Sequence, residues 1–444
     1  MSIIIAITLL SVDVLFFALY FIRGLKKHLL LLFGTAFYLF VGVVGFLFYT
    51  YFNADYKGTY YAIFHLERKD NINALSYYLA AICIIYVIYS LAHIFRPIKN
   101  IPVQSGAHNI AHGVGFAKKL DGRVYLVMAW LLFLIYVSGR GFGNVIYGAP
   151  YLAFYNKLLT IIGTVGLLPA AFILGRIRVS GRDRILRALS MFSILLIGMT
   201  IVSLATRLII VVVTAYLIGY IYGKRSISKS KIALMFWFLL LPIMFYLPLF
   251  LRGGRLGLIN LPSNILFLVS SKGIISLYFN GIEQVVMSTT FGLPLSYMVA
   301  HSQKIPSEYF ATEISPLPSF MAIPGMPGWY DIAPMLRINT YTPYNAIGEL
   351  INYGLAYFFF YYICIGIVVF YFDRFVFRLR RNDAGIFLRM LVYCCVILVF
   401  LSLALSTQYN LRASTRFIYY ALFFVVAYDF LARFLRLFPR KRRS

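Results

Sequence analysis

Eleven long apolar runs, separated by short polar or basic stretches, organise this sequence: 2–22, 29–52, 73–95, 124–139, 158–175, 188–206, 208–222, 232–251, 345–371, 386–406 and 416–434. A bilayer core of about 30 Å is crossed by roughly 20 apolar residues as helix. Each run therefore predicts a membrane-spanning helix, because a helix satisfies its own backbone groups where no water can. The fold class read from the pattern is an all-α polytopic integral membrane protein of about 11 transmembrane helices. The stretch 188–222 is too long for one crossing, and Arg207 divides it, so it predicts an antiparallel pair. No basic segment precedes Ser2–Ile22, which predicts a retained first span and not a cleaved leader.

One segment departs from this alternation. Residues 252–343 hold nine of the sixteen prolines yet are rich in aromatic and aliphatic side chains. The part "NILFLVSSKGIISLYFNGIEQVVMSTTFGLPLSYMVAHS" reads as one or two amphipathic helices at the membrane surface, followed by the irregular crossing "ISPLPSFMAIPGMPGWYDIAPMLR". Three segments result: a bundle of about eight spans over 1–251, a large, partly helical outer loop over 252–343, and about three spans with a basic tail over 344–444. Ordered loops of this length on a rigid scaffold commonly carry function.

Composition sharpens the picture. The chain is 61% hydrophobic and 12% charged, against about 45–50% and 25% in soluble domains, which excludes a water-exposed globule. The net charge of +27 divides by topology. With the N-terminus outside, segments 23–28, 96–123, 176–187, 224–231, 374–389 and the tail after 432 are inner, and they hold 28 of the 41 Lys and Arg. Arg440, Lys441, Arg442 and Arg443 are then an orientation and lipid-headgroup signal, and no nucleic-acid partner is expected. Cys83, Cys364, Cys394 and Cys395 all lie in apolar runs, which argues against a disulfide framework and a zinc site.

Soluble-enzyme signatures are missing. Gly223-Lys224-Arg225 lacks the loop and hydroxyl of a phosphate-binding motif, and Ile146 stands where a dinucleotide fingerprint begun by Gly141 and Gly143 needs glycine. There is no Asp-x-Asp pair for a metal-held sugar nucleotide. No metal or cofactor is expected.

The available chemistry lies at the outer ends of spans. Arg207, Arg252, Arg255, Arg337, Arg412 and Arg416 oppose the positive-inside rule, and an arginine at depth costs about 2.5–3.5 kcal/mol. A compensating anion is needed, either among the outer acids or as a bound diphosphate, which the arginine fork suits. General-base candidates are His301, Glu349 and Glu283. Asn345 and Asn352 lie on the helical face of Glu349, at i−4 and i+3. Tyr309, Trp329, Tyr330 and Tyr341, with Glu283, are candidates to contact a glycan, or to anchor the interface. Asp13, inside the first run, reads as a packing or hydrogen-bonding group.

Three stretches carry a family likeness: "SLATRLIIVVVTAYLIGYI" around Arg207; the long late loop ending in "PLPSFMAIPG"; and "TPYNAIGELINYGLAYFFFYYICIGIVV", in which Pro343, Ile347, Gly348, Glu349, Asn352 and Gly354 open a span. In these the chain resembles the Wzy-type polymerases of bacterial O-antigen, enterobacterial common antigen and capsule repeat units, over most of residues 190–430. The resemblance implies metal-independent, inverting transfer between undecaprenyl-diphosphate-linked glycans at the periplasmic face of the inner membrane. It further implies a chain-length regulator protein as partner, beside membrane lipids. The six arginines would hold the donor diphosphate, and Glu349 or His301 would deprotonate the acceptor hydroxyl. An O-antigen ligase shares the arginines, the loop and a loop histidine, though His301 precedes the proline-rich crossing here. A lipid-linked oligosaccharide flippase or a transporter would show short loops or two related halves, and no internal repeat is present.

Overall fold

The computed structural model describes residues 3–24, 27–52, 66–95, 122–148, 157–180, 183–223, 228–317, 319, 321–338, 342–381 and 386–437. The stretch 96–121, expected to be inner, and the tail after 437 therefore lie outside the described residues, as does Tyr341. Among those described, the chain is helical and has no strand; the sole ladder element is an isolated bridge between Arg337 and Pro343.

In chain order the helices are α1 (Ile3–Gly24), α2 (Leu29–Tyr51, with π turns at Phe40–Val44 and Phe48–Phe52), α3 (Arg68–Phe95), α4 (Gly122–Arg140), α5 (Phe142–Tyr147), α6 (Lys157–Ser180), α7 (Arg184–Ser203), α8 (Leu208–Gly223) and α9 (Ser228–Leu251). They continue with α10 (Leu261–Lys272), α11 (Ile274–Thr290), α12 (Gly292–Ala300), α13 (Glu308–Ile314), α14 (Trp329–Ile332), α15 (Ala346–Tyr353), α16 (Leu355–Arg381), α17 (Ile386–Ser406) and α18 (Leu411–Leu437). Among the described residues seven helices are long and apolar enough to cross a membrane. An eighth is reached if Leu258–Ser271 and Ile275–Ala300, bent by 102°, form one broken span. The protein is thus a multi-pass helical membrane protein. This bent pair occupies the segment where the pattern predicts surface helices; it is apolar enough to pass as a crossing.

The split at Arg207 appears as the end of α7 at Ser203 and the start of α8 at Leu208. The run 345–371, by contrast, is not one helix. Gly354 adopts φ +133, a conformation closed to most side chains, and separates the short buried α15 from the long α16, whose apolar part is Leu355–Phe377.

The chain forms two compact units that draw on distant parts of the sequence. Unit 1 comprises 1–113, 287–384 and 395–444; unit 2 comprises 114–286 and 385–394. In unit 1 two helix starts are capped by carboxylates from elsewhere in the chain. Asp373 of α16 accepts from the Leu30 amide at 2.8 Å and the Leu31 amide at 3.2 Å at the start of α2. Glu349 of α15 accepts from the Leu411 amide at 2.7 Å at the start of α18. Free amides at a helix start need such acceptors, and their dipole favours negative charge.

In unit 2, α6 lies against α4 and α8 through glycine. A Cβ on Gly175 would stand 1.9 Å from the Tyr216 carbonyl oxygen, and one on Gly219 2.0 Å from that of Phe172. Gly139 and Gly163 pass the backbone of the facing helix almost as closely. Small residues let helices approach to backbone contact, which replaces the hydrophobic drive that lipid does not supply.

Candidate functional site

The carboxyl pair of unit 1 starts from α15. Asn345 caps this helix, accepting from the Gly348 amide at 3.1 Å, while its Nδ2 donates to the carbonyls of Gly292 at 3.0 Å and Thr407 at 3.1 Å. At the far end Asn352 accepts from the Ile305 amide at 2.8 Å and donates to the Val299 carbonyl at 3.0 Å. Between them Glu349 is fully buried. The face carrying Asn345, Glu349 and Asn352 thus binds three separate backbone segments.

Glu349 is also hydrogen-bonded to Glu313 of α13, which is equally buried and accepts from the Tyr353 hydroxyl at 3.0 Å. Glu313 Oε2 and Glu349 Oε1 have no other partner, so a proton shared between the two carboxyls satisfies both. Burial pushes the Glu349 carboxyl up to about 7, while the Leu411 amide and Glu313 hold it down. Burial, then the Glu349 charge, push Glu313 well above the carboxylate range. Glu313 therefore carries the proton and Glu349 the charge. Nothing but the three-dimensional path of the proline-rich segment brings Glu313 here, so the sequence pattern does not single it out.

Arg412 and Arg416 lock that same segment. Arg412 is 1% exposed; its guanidinium lies 5.1 Å from the ring centre of Trp329 and donates through Nη1 to the Thr312 carbonyl and through Nη2 to that of Leu317, the latter at 2.6 Å. Arg416 Nη2 donates to Ser319 Oγ at 2.6 Å, and the Tyr419 hydroxyl donates to the Ile314 carbonyl. Arg412 is thus committed to backbone. Arg337 is exposed, beside the bridge to Pro343.

His301 is exposed at the end of α12. Its Nδ1 lies 2.9 Å from the Tyr297 carbonyl, which only accepts, so Nδ1 carries the proton and Nε2 holds the free lone pair. The ring stacks on Tyr297 at 4.1 Å, and the Tyr297 hydroxyl donates to Asp70 of α3. Of the base candidates in unit 1, His301 is the accessible one and Glu349 the enclosed one.

The remaining arginines belong to unit 2 and gather around the turn between α7 and α8. Ala205 holds φ +53 there, a left-handed conformation a non-glycine residue adopts at a cost of about 1–2 kcal/mol. Arg207 lies half-buried with its guanidinium 5.6 Å from the Phe245 ring centre. Arg252 is exposed and its Nε reaches the Ala205 carbonyl at 3.5 Å; Arg255 is exposed nearby, its carbonyl accepting from Asn264 at 2.7 Å. The same turn brings in Arg140, which the sequence reading did not single out. Tyr136 is hydrogen-bonded to both Arg140 and Thr206, and the Arg140 Nε is buried with no partner. Its position at the last residue of α4 is the signal that marked it. Unit 2 has two described acids: Asp183, which caps the opposite end of α7 through the Ile185 amide at 2.9 Å, and Glu283, half-buried on α11.

The aromatic candidates of unit 1 have separate surroundings. Trp329 lies under Arg412, Tyr309 donates to Met335 Sδ at 3.6 Å, and Tyr330 is 52% exposed. No cluster of three or more His, Cys, Asp or Glu suited to a metal ion occurs among the described residues. No protein-family model, curated protein or solved structure matches the chain.

Proposed function

We infer that this chain is a glycosyltransferase of the bacterial inner membrane that polymerises undecaprenyl-diphosphate-linked repeat units. It acts at the periplasmic face, through about eleven spans and the loop 252–343. The observation that carries this reading is the arginine group of unit 2. Arg140, Arg207, Arg252 and Arg255 lie on segments that meet at one strained turn, in a unit whose two described acids leave that charge in large excess. Four cations at a helix-end turn suit a diphosphate, which arginine binds through paired N–H groups.

In this mechanism an acceptor hydroxyl of one lipid-linked repeat unit attacks the anomeric carbon of the growing chain. The new C–O bond forms as the bond to the lipid diphosphate breaks, and the hydroxyl proton passes to a general base. The arginines stabilise the leaving diphosphate where its charge develops. Inversion follows from a single displacement. The activated donor already contains its leaving group, so no nucleotide is consumed. Glu349 and Glu313 hold the proline-rich segment and the start of α18 in place.

The test uses purified full-length protein with lipid-linked repeat units. Arg207→Ala and Arg140→Ala are expected to abolish polymer with the fold intact. Wild-type ladders from both arginine variants would overturn the diphosphate site. With lipid A added to the same reaction, a product joined to it in place of a longer lipid-linked chain would assign a ligase.

A further inference from the structure

Asp13 has no role in the chemistry above, yet it is the most conspicuous polar group inside a span. It lies at the middle of α1, fully buried, and neither carboxylate oxygen has a hydrogen-bond partner. The buried carboxylates of Asp373 and Glu349 accept amides at helix starts, and that of Glu313 accepts from the Tyr353 hydroxyl; Asp13 caps nothing. A carboxylate at the centre of a span costs about 2.5–3.5 kcal/mol on insertion scales and is normally retained for what it binds.

The groups that face it are titratable or hydroxylic, not cationic. Helix α3 presents Cys83 and Tyr86 to Asp13. Helix α2, also packed on α1, carries no charged residue between 29 and 51 and supplies Thr35, whose Oγ1 lies 2.8 Å from the Tyr86 hydroxyl.

Hydroxyl pairs continue through unit 1 on both sides of this level. Toward α16, Tyr20 and Ser90 are 2.7 Å apart, and His28 Nδ1 lies 2.8 Å from the Tyr89 hydroxyl, which donates to Asp373 at 3.2 Å. The rings of Tyr89, Tyr20 and Tyr86 follow one another at 5.4 and 6.1 Å. Toward α15, Tyr38 pairs with Ser406 and lies 3.4 Å from the Tyr362 hydroxyl, while Tyr78 donates to the Thr407 carbonyl at 3.4 Å and bonds Asn345, one helical turn from Glu349. Tyr20, Tyr38, Tyr78, Tyr86, Tyr89 and Tyr362 are all fully buried. Phenylalanine would fill the same volume without needing a partner. A hydroxyl pair can reverse its donor and acceptor, so each can take a proton on one lone pair and release its own.

We propose that unit 1 contains a proton pathway, with Asp13 as its membrane-embedded proton site and the hydroxyl pairs as the relay between Asp373 and the Glu313–Glu349 pair. Asp13 forms an O–H bond with a proton delivered from one side and yields it to the other, and each relay step makes one O–H bond as it breaks another. The pathway stands apart from glycosyl transfer and does not depend on it.

The test reconstitutes the full chain into liposomes containing the pH dye pyranine, with valinomycin and potassium to carry compensating charge, and follows internal pH after an external acid step. Wild type is expected to acidify the interior faster than protein-free liposomes. Asp13→Asn should return the rate to that of protein-free liposomes, and Asp13→Glu should restore flux. Tyr86→Phe and Tyr38→Phe should each lower it; if Asp13→Asn does not elute as a folded protein, unchanged flux in both tyrosine variants overturns the proposal. A wild-type rate equal to that of protein-free liposomes, or undiminished flux in folded Asp13→Asn, overturns it as well. Polymer synthesis measured on the same preparations keeps the two readings distinct: polymer without proton flux sinks the pathway alone.

Discussion

Glu313 donates a hydrogen bond to Glu349 inside unit 1, so that one proton serves two carboxyls and the remaining charge sits at the amino end of α18. Two buried carboxylates without that proton would repel each other where water cannot screen them. The proton is therefore part of the fold, and it ties the proline-rich segment to α15 and α18.

A pH dependence follows. The pair binds protons in the native state that the unfolded chain releases above its ordinary carboxyl range of about 4.3, and Glu349 holds its own up to about 7. The native state thus binds more protons across that window, and stability falls as pH rises through it. The unfolding temperature in detergent should drop between about pH 5 and about pH 8. In Glu313→Gln/Glu349→Gln this drop should be smaller; an unchanged slope in the double variant would disprove the shared proton.

Arg412 and Arg416, one helical turn apart, should respond differently to truncation. Arg412→Ala strips the carbonyls of Thr312 and Leu317 of their donor, at about 1–3 kcal/mol for each buried group left unpaired. It also loses the contact with Trp329, worth about 0.5–2 kcal/mol. Lysine cannot fork between the two carbonyls, so Arg412→Lys should recover little. Arg416→Ala gives up a half-buried bond to Ser319 and should shift the unfolding temperature far less. Equal shifts for both would contradict the buried clamp.

Much of the helical layout was legible because lipid imposes a simple rule on length and polarity. The division at Arg207 and the face shared by Asn345, Glu349 and Asn352 both follow from spacing alone. Hydropathy could not see that Gly354 breaks the run 345–371, since glycine barely changes a window average and acts through its φ of +133. Nor could it pair Glu313 with Glu349, because the proline-rich segment has no period from which a register could be read. Nor does the linear sequence reveal that Arg207, Arg252 and Arg255 fold within unit 2, and Arg337, Arg412 and Arg416 within unit 1. Arg140 was missed for the converse reason, being adjacent to the α7–α8 turn only in space.

The left-handed Ala205 gives a prediction about that turn. Glycine adopts φ +53 without steric cost, so Ala205→Gly should stabilise the protein by up to about 1 kcal/mol, less the chain entropy that glycine adds to the unfolded state. If the strain positions Arg207 and Arg252, polymer yield should fall even as the unfolding temperature rises. A variant that is more stable and equally active would separate the strained turn from function.

The interface of α6 with α8 should be the least tolerant surface in unit 2. At Gly175 an added Cβ meets the Tyr216 carbonyl at 1.9 Å, and at Gly219 it meets the Phe172 carbonyl at 2.0 Å. These are backbone atoms, which cannot rotate aside as a side chain would, so the helices must separate. Gly198 on α7 is a fair control, because its Cβ would meet only the end of the Ile209 side chain, at 3.3 Å. Gly175→Ala and Gly219→Ala should each cost about 1–3 kcal/mol, the range typical of overpacking, and the double variant should cost less than the two together once the helices have parted. Gly198→Ala should be close to neutral. Thermal unfolding of the purified variants in detergent checks all four, and wild-type stability in Gly175→Ala would mean that α6 and α8 do not meet at backbone contact.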